Sequence, residues 1–222
     1  LEQLLQRARE LDYPTNPHLT QAWLARINQW RADYPLVAPH YDDMISPQEV
    51  IVELDRQAPR AFYTTDVGQH QMWAAQFLHN GPRRWISSAG LGTMGFGLPA
   101  AMGAQVAVPD EQVICVSGDA SFQMNLQELG TLSQYGINVK TVILNNGWQG
   151  MVRQWQQAFY DERYVASNMQ SGTPDIELLC AAYGIKGMTI RDYADLAPAI
   201  AEMLAHDGPV VMDVMVKKDE NC

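Results

Sequence analysis

The sequence predicts an α/β fold: a doubly wound, mainly parallel sheet of about six strands with helices on both faces. Short runs rich in β-branched residues alternate along the chain with helical segments. Continuous β-branched runs separated by helices are typical of parallel strands that are covered on both faces of the sheet. Because open α/β sheets bind ligands beyond the carboxyl ends of their strands, functional residues are expected directly after each run.

An amino-terminal appendage precedes the alternating pattern. Residues 1–33 are polar and helical in pattern, and residues 34–45 form a connector broken by prolines. We interpret residues 1–45 as the end of a preceding domain with its linker, and residues 46–222 as the main domain. The first residue is Leu and not Met, which suggests a piece of a longer chain.

The main domain opens with a helix that is predicted to start at Pro47, with Ser46 as the cap and Glu49 completing a capping box. The strands that follow are predicted at 61–65, 84–88, 112–117, 139–145, 185–190 and 210–216. The helices between and after them are predicted near 69–79, 97–107, 122–135, 149–157, 175–183 and 193–206.

Composition excludes several classes of protein. The 222 residues carry 15 Lys and Arg against 25 Asp and Glu, a formal net charge of −10. Nucleic-acid binders depend on clustered basic residues, so we expect no nucleic-acid partner. An acidic surface also disfavours anionic membranes, and no apolar run is long enough to span one. We therefore expect a protein that does not bind membranes.

Cysteine usage indicates a reducing compartment. The three cysteines, Cys115, Cys180 and Cys222, are far apart and show neither a paired spacing nor a zinc-ligand pattern. We expect Cys115 and Cys180 to be small core residues. Bacterial cytoplasm or plastid stroma fits this pattern.

A glycine-rich sequence, Gly90 to Gly95, lies between a predicted strand and a predicted helix and matches GxGxxG. One interpretation is a nicotinamide-dinucleotide loop, which calls for an acidic residue about 20 positions later. Asp110 and Glu111 lie at that distance but precede their strand. The other interpretation is a tight turn that serves packing alone.

Two further sequences follow neighbouring predicted strands. Asp119 opens a helix after the strand at 112–117, and Asn146 follows the strand at 139–145, 27 positions later. A strand–helix–strand crossover of this length places both residues on one edge of the sheet. Their oxygens, with a backbone carbonyl and diphosphate oxygens, suit Mg²⁺. Alternatively, Asp119 only caps its helix, and Asn146-Gly147 forms a hairpin turn.

Four stretches resemble the catalytic subunit of acetohydroxyacid synthases, also called acetolactate synthases. They are VGQHQMWAAQ (67–76), GLGTMGFGLPAAMGAQ (90–105), GDASFQMNLQEL (118–129) and NNGWQGMVRQWQ (145–156). The resemblance implies that residues 46–222 form the thiamine-diphosphate- and Mg²⁺-binding domain, and that residues 1–33 end a middle domain that binds FAD.

The resemblance also implies roles for single residues. Asp119, Asn146 and the Trp148 carbonyl would bind Mg²⁺. The diphosphate would be held by Gln69, His70, Ala120, Ser121, Gly150 and Met151. The Gly92 carbonyl would accept a hydrogen bond from the cofactor's aminopyrimidine, and Met94 would hold the cofactor bent. Met151 and Trp155 would line the substrate and inhibitor channel.

Some of these residues could instead have purely structural roles. The alternative role for His70 is only to hydrogen-bond a backbone group. Residues of the methionine and tryptophan set fit core packing at helical spacing; they are Met94, Met124, Met151, Trp148 and Trp155.

The activity implied by the resemblance is condensation of pyruvate with pyruvate or 2-ketobutyrate in branched-chain amino-acid synthesis. Homodimers or tetramers, with a small regulatory subunit, are the implied partners. The family's activating glutamate lies in a domain outside this sequence, so no catalytic residue is assigned here and the isolated chain is expected to be inactive. Alternatives are another pyruvate-using thiamine enzyme (an oxidase or a glyoxylate carboligase), a nicotinamide-binding module, and a non-catalytic subunit.

Overall fold

A computed structural model describes residues 1–11, 17–79 and 81–222, and it divides the chain into two compact units, Leu1–Val37 and Ala38–Cys222. The first unit contains helices α1 (Glu2–Glu10) and α2 (Pro17–Asp33). Both agree with the helical pattern predicted for residues 1–33, of which residues 12–16 lie outside the described residues.

The second unit is built on a six-stranded sheet. Its strands are β1 (Phe62–Thr65), β2 (Trp85–Ser87), β3 (Val113–Gly118), β4 (Val139–Asn145), β5 (Lys186–Ile190) and β6 (Val210–Met215). The strand order is β2-β1-β3-β4-β6-β5, and every neighbouring pair is parallel. The prediction of a mainly parallel sheet is confirmed, and each strand end lies within one residue of its predicted position.

Helices cover both faces of this sheet. They are α3 (Pro47–Gln57), α4 (Gln69–Phe77), α5 (Gly97–Ala107), α6 (Asp119–Gln123), α7 (Leu129–Tyr135), α8 (Gly150–Phe159), α9 (Ile176–Ala182) and α10 (Tyr193–Ala205). One core lies under α3, α4 and α10, and the second lies under α5, α6, α7 and α9. Doubly wound sheets have this three-layer arrangement because parallel strands bury both of their faces.

The single helix predicted at 122–135 is wrong, because the helical structure in this region is interrupted. Helix α6 ends at Gln123, a 3₁₀ turn occupies Leu126–Glu128, and α7 follows. The break lies at Asn125, whose Nδ2 donates to the Gly95 carbonyl at 2.6 Å. Asparagine side chains compete with helical hydrogen bonding in this way, and here the competing acceptor belongs to a distant loop.

The predicted capping box at the start of α3 is also wrong, although Pro47 does begin the helix. The Ser46 hydroxyl donates to Gln48 Oε1 at 2.9 Å and accepts no amide of the first turn. Glu49 Oε1 instead lies 2.9 Å from Nδ1 of His40, a residue of the preceding connector. This carboxylate therefore does not complete a capping box.

Part of the predicted linker packs within the second unit. Ile45 is fully buried and forms a parallel bridge with Val216. The assignment of residues 1–45 to another domain and its linker stays a prediction. Cys115 and Cys180 are buried and free, as expected of core residues. Across the described ranges, no helix is both long and apolar enough to cross a membrane.

Candidate cofactor and metal site

A cleft opens at the carboxyl ends of β1, β3 and β4, on the edge of the sheet where the sequence predicts functional residues. It contains about 410 Å³ of empty space, part of it open to solvent. Its lining consists of Val67, Gly68, Gln69, His70, Met94, Gly118, Asp119, Ala120, Ser121, Leu144, Asn146, Trp148, Gln149, Gly150, Met151 and Val152. The strand order reverses beside β1, and such a switch point is where doubly wound sheets bind ligands.

Asp119 is the acidic side chain of this cleft. It is the first residue of α6, it is 3% exposed, and its Oδ2 has no hydrogen-bond partner. Burial raises the pKa of Asp119 to about 7, and the charge of Asp213 acts in the same direction. The residue preceding it, Gly118, holds the cap position of α6, and no side-chain cap hydrogen bond is present there. The capping alternative therefore does not account for the free carboxylate oxygen.

Asn146 reaches the same cleft from the end of β4. Its Oδ1 accepts from the Trp148 amide at 3.0 Å, and its Nδ2 donates to Gln69 Oε1 at 3.1 Å. Gly147 has a left-handed φ of +72°, and α8 follows at Gly150. The hairpin alternative is wrong, because β4 leads into a helix instead of an antiparallel strand.

Gln69 and Gly150 bring the start of α4 against the start of α8. A side chain at Gly150 would overlap Gln69 Oε1, and its Cβ would lie 2.8 Å from Asn146 Nδ2. The Gln69 Nε2 donates to Gln154 Oε1 and to the Glu220 carbonyl, which fixes its orientation. Glycine is favoured here because a Cβ would displace the hydrogen-bonded amide groups of Gln69 and Asn146.

His70 presents an unpaired nitrogen in the cleft lining. Its ring is 6% exposed, and Nε2 has no hydrogen-bond partner. Burial lowers the pKa of His70 to about 3, which outweighs the raising effect of a hydrogen bond to the Asp66 backbone. His70 therefore does bond to the backbone, as the alternative interpretation expects, but its Nε2 has no partner.

The first turn of α6 supplies Ala120 and Ser121. Both residues line the cleft, and the Ser121 hydroxyl donates to the Val67 carbonyl at 3.0 Å. Amides in the first turn of a helix have no helical acceptor, so these two positions offer backbone donors to an anion.

Met94 and Met151 line the cleft, whereas Gly92 and Trp155 do not. Gly92 lies on the exposed part of the loop that carries Met94. Trp155 is 56% exposed, stacks edge-on against Phe159, and lines a separate surface groove. The structure thus separates Trp155 from the cleft.

The core alternative for the methionine and tryptophan set is wrong. Met94, Trp148 and Met151 are partly exposed, and Met124 and Trp155 are more than half exposed. None of the five belongs to either buried core.

The residues of the cleft fit a magnesium ion and a diphosphate. A buried carboxylate oxygen on Asp119 and a buried nitrogen on His70 both lack partners, and buried polar groups normally have one. Within the described residues no group of three His, Cys, Asp or Glu side chains is placed to bind a metal. A site of one carboxylate, one amide and backbone oxygens suits Mg²⁺, which takes its remaining ligands from water and phosphate.

Asp66 is a site residue that the sequence analysis missed. It follows β1 directly, and its Oδ1 accepts from the amides of Val67 at 3.0 Å and Gly95 at 2.7 Å. Its Oδ2 accepts from the Ser117 hydroxyl at 3.3 Å. This carboxylate ties the glycine-rich loop to β1 and β3. Its position, an acidic residue at the carboxyl end of a strand, is the signal by which it could have been found.

The sequence of this chain is similar to those of acetolactate synthase large subunits. Acetolactate synthase large subunit of Cyanidium caldarium is 53% identical over 222 residues, which is 100% of this chain and 38% of that protein. The large subunit of Parasynechococcus marenigrum is 60% identical over 203 residues, which is 91% of this chain and 33% of that protein. The chain therefore spans between 33% and 38% of the length of these relatives.

A solved structure has the same fold. The thiamine diphosphate-dependent 4-hydroxybenzoylformate decarboxylase of Rhodococcus jostii superposes with a TM-score of 0.75 at 29% identity, covering 84% of this chain and 35% of that one. Residues 66–214 match the family model described as thiamine pyrophosphate enzyme, C-terminal TPP binding domain. The resemblance seen in the sequence is thereby confirmed, and the chain belongs to the thiamine pyrophosphate enzyme family, of which it contains the C-terminal TPP-binding domain.

Proposed function

We propose that the cleft binds thiamine diphosphate through Mg²⁺ and that this domain serves an acetolactate synthase. The observation that carries the proposal is the convergence of Asp119 and Asn146 on one cleft, with Asp119 Oδ2 unpartnered. In the proposed site Asp119, Asn146 and the Trp148 carbonyl hold the metal.

The diphosphate is held by the groups around that metal. The amides of Ala120 and Ser121 supply donors, and Gln69, His70, Gly150 and Met151 complete the wall. A chain of net charge −10 needs the cation and the helix terminus to offset repulsion of an anionic ligand.

Bound thiamine diphosphate supplies the carbon nucleophile and the electron sink for decarboxylation of a 2-ketoacid. This chain's residues orient it. Met94 lines the cleft and is proposed to be an apolar support that holds the cofactor bent. The Gly92 carbonyl is proposed to accept a hydrogen bond from the aminopyrimidine. Met151, at the start of α8, lines the cleft wall, and the substrate is proposed to enter on this side. Trp155, one turn farther along α8, lines a separate groove and is proposed to lie farther out along the same path.

The proposed reaction joins pyruvate to pyruvate or 2-ketobutyrate with loss of CO₂. The products are 2-acetolactate and 2-aceto-2-hydroxybutyrate, which lead to valine, leucine and isoleucine. The acetolactate synthase relatives support this proposal. FAD in a middle domain, a dimer or tetramer of catalytic subunits, and a small regulatory subunit belong to the same proposal.

The cofactor site is tested by calorimetric titration of thiamine diphosphate into the chain, with and without Mg²⁺. The same titration is made on Asp119→Ala, with Asp110→Ala as the control because Asp110 is exposed and outside the cleft. We expect binding that requires both Mg²⁺ and Asp119, because a hard cation loses its only charged protein ligand. Equal binding by both variants would contradict the proposal.

The substrate is tested in the full-length enzyme that contains this domain, supplied with pyruvate, 2-ketobutyrate or glyoxylate. Acetolactate and acetohydroxybutyrate as products would support the synthase. Acetate or tartronate semialdehyde would instead identify an oxidase or a glyoxylate carboligase.

A further inference from the structure

Behind the metal-binding loop lies a second buried carboxylate, Asp213 of β6. It is 5% exposed, its Oδ1 has no partner, and its Oδ2 accepts from Asn145 Nδ2 at 3.2 Å. Asp213 pairs with Ile143 in the register of β4 and β6. It therefore shares a face of the sheet with Asn145, two residues farther along β4.

Asn145 transmits this contact to the loop. Its Oδ1 accepts from the Gly147 amide at 3.1 Å, so both ends of its amide group are engaged. If the group turned over, Nδ2 would face the Gly147 N–H, donor against donor. The Asp213 carboxylate thus selects the orientation of Asn145 that holds the left-handed Gly147 and, between them, Asn146.

The charge of Asp213 also reaches the site. Its carboxylate is hydrogen-bonded to Asn145, the neighbour in the chain of the proposed metal ligand Asn146, and burial raises the pKa of Asp213 itself to about 6. The charged groups that act on Asp213 are Arg191, which lowers its pKa, and Asp175 and Glu177, which raise it. Two buried carboxylates of like charge destabilise the metal-free chain and attract a divalent cation.

We propose that Asp213 is a positioning residue for the divalent-cation site, where it orients Asn145 and adds negative charge behind the metal ligands. This inference rests on the proposed function. Residues that orient metal ligands by hydrogen bonds typically change metal affinity ten- to a hundredfold when they are replaced.

The test compares Asp213→Asn, which keeps the shape and an acceptor but loses the charge, with Asn145→Ala, which breaks the hydrogen-bond relay and keeps the charge. Mg²⁺ is titrated at saturating thiamine diphosphate and pH 8, and the melting temperature is recorded without metal. Asp110→Asn is the matched control, an exposed aspartate before β3 at the opposite edge of the sheet.

We expect each of the two variants to weaken Mg²⁺ binding about tenfold or more. Asp213→Asn is expected to raise the metal-free melting temperature, because it removes a buried charge. Replacing a purely structural residue would lower both the Mg²⁺ affinity and the metal-free melting temperature. A melting temperature of Asp213→Asn below that of the unsubstituted chain therefore overturns the inference. A Mg²⁺ affinity of Asp213→Asn within twofold of that of the unsubstituted chain overturns it as well.

The failure of the proposed function gives a different result. In that case the unsubstituted chain itself shows no Mg²⁺-dependent binding of thiamine diphosphate, and both proposals are overturned. Intact binding that is unaffected by either variant overturns only the role of Asp213.

Discussion

Among single residues, Asp119 combines burial with an unpartnered oxygen, and its titration links stability to metal binding. Its pKa is raised to about 7, from 3.8 in an exposed carboxylate. Between these values the folded chain holds a proton that the unfolded chain has lost, so the free energy of unfolding falls as the pH rises. Asp119 therefore lowers the stability of the metal-free chain above pH 7.

The first prediction concerns Asp119→Asn without metal. We expect it to be more stable than the unsubstituted chain at pH 8, by an upper limit of about 4 kcal/mol for a shift of about three units. The difference should disappear near pH 4. Urea unfolding of both proteins at pH 4, 6 and 8 measures it, and the comparison cancels the opposite titration of His70, which both proteins share. A variant less stable at pH 8 would contradict it.

The second prediction concerns the pH dependence of metal binding. Mg²⁺ requires the ionised carboxylate, so its affinity should fall about tenfold per pH unit below pH 7 and level off above pH 8. Calorimetric titrations at saturating thiamine diphosphate, corrected for the affinity of Mg²⁺ for the free cofactor in each buffer, measure this. An affinity that stays constant from pH 5.5 to 8 would be inconsistent with Asp119 as a ligand.

Among the elements, the connection from β4 to α8 determines the shape of the cleft. Gly147 turns the chain with a positive φ, and Gly150 begins α8 against Gln69 and Asn146. The connection is further held by a bridge between Trp148 and Asn168. A side chain at position 150 would displace the amide groups of Gln69 and Asn146 from this connection.

The third prediction compares two glycine substitutions. Gly150→Ala should destabilise the chain by about 1–3 kcal/mol, as overpacking does, and weaken cofactor binding at least tenfold. Gly103→Ala, in the middle of α5 with no atom within 4 Å of the added Cβ, should stabilise the chain by about 0.5–1 kcal/mol and leave binding unchanged. Thermal unfolding and cofactor titration measure both. A Gly150→Ala variant that binds normally would refute the packing argument.

For the whole molecule, the lining of the cleft offers few groups that could transfer a proton in the proposed reaction. Among the described residues that line it, only His70 and Asp119 have ionisable side chains. The His70 ring is neutral at physiological pH because burial lowers its pKa to about 3. No carboxylic acid is therefore left to protonate the cofactor once Asp119 binds the metal.

The fourth prediction follows from this lining. The 222-residue chain, supplied with thiamine diphosphate, Mg²⁺ and pyruvate, should form no acetolactate, whereas the full-length enzyme should. Colorimetric assay of acetoin after acid decarboxylation measures the product in both. Detectable turnover by the isolated chain would contradict the prediction and require an acid from another source.

Sequence patterns predicted most of the fold because they depend on local chemistry. Runs rich in β-branched residues specified six strands to within one residue, and Pro47 marked the start of α3. The failures lie where a distant partner competes with a local rule. Asn125 bonds to Gly95 and interrupts a helix, and His40 takes the carboxylate of Glu49 from its capping box.

By itself, the sequence determined the family, the parallel sheet and the identity of the residues at the ends of β3 and β4, because each is encoded in short contiguous motifs. Only the tertiary structure decided which of them share a cleft. It brought Asp119, Asn146 and His70 together, left Trp155 in a separate groove, and added Asp66 and Asp213 as supports. The physical reason is that hydrogen-bond partners and burial depend on strand order and register, which place residues far apart in the chain against each other.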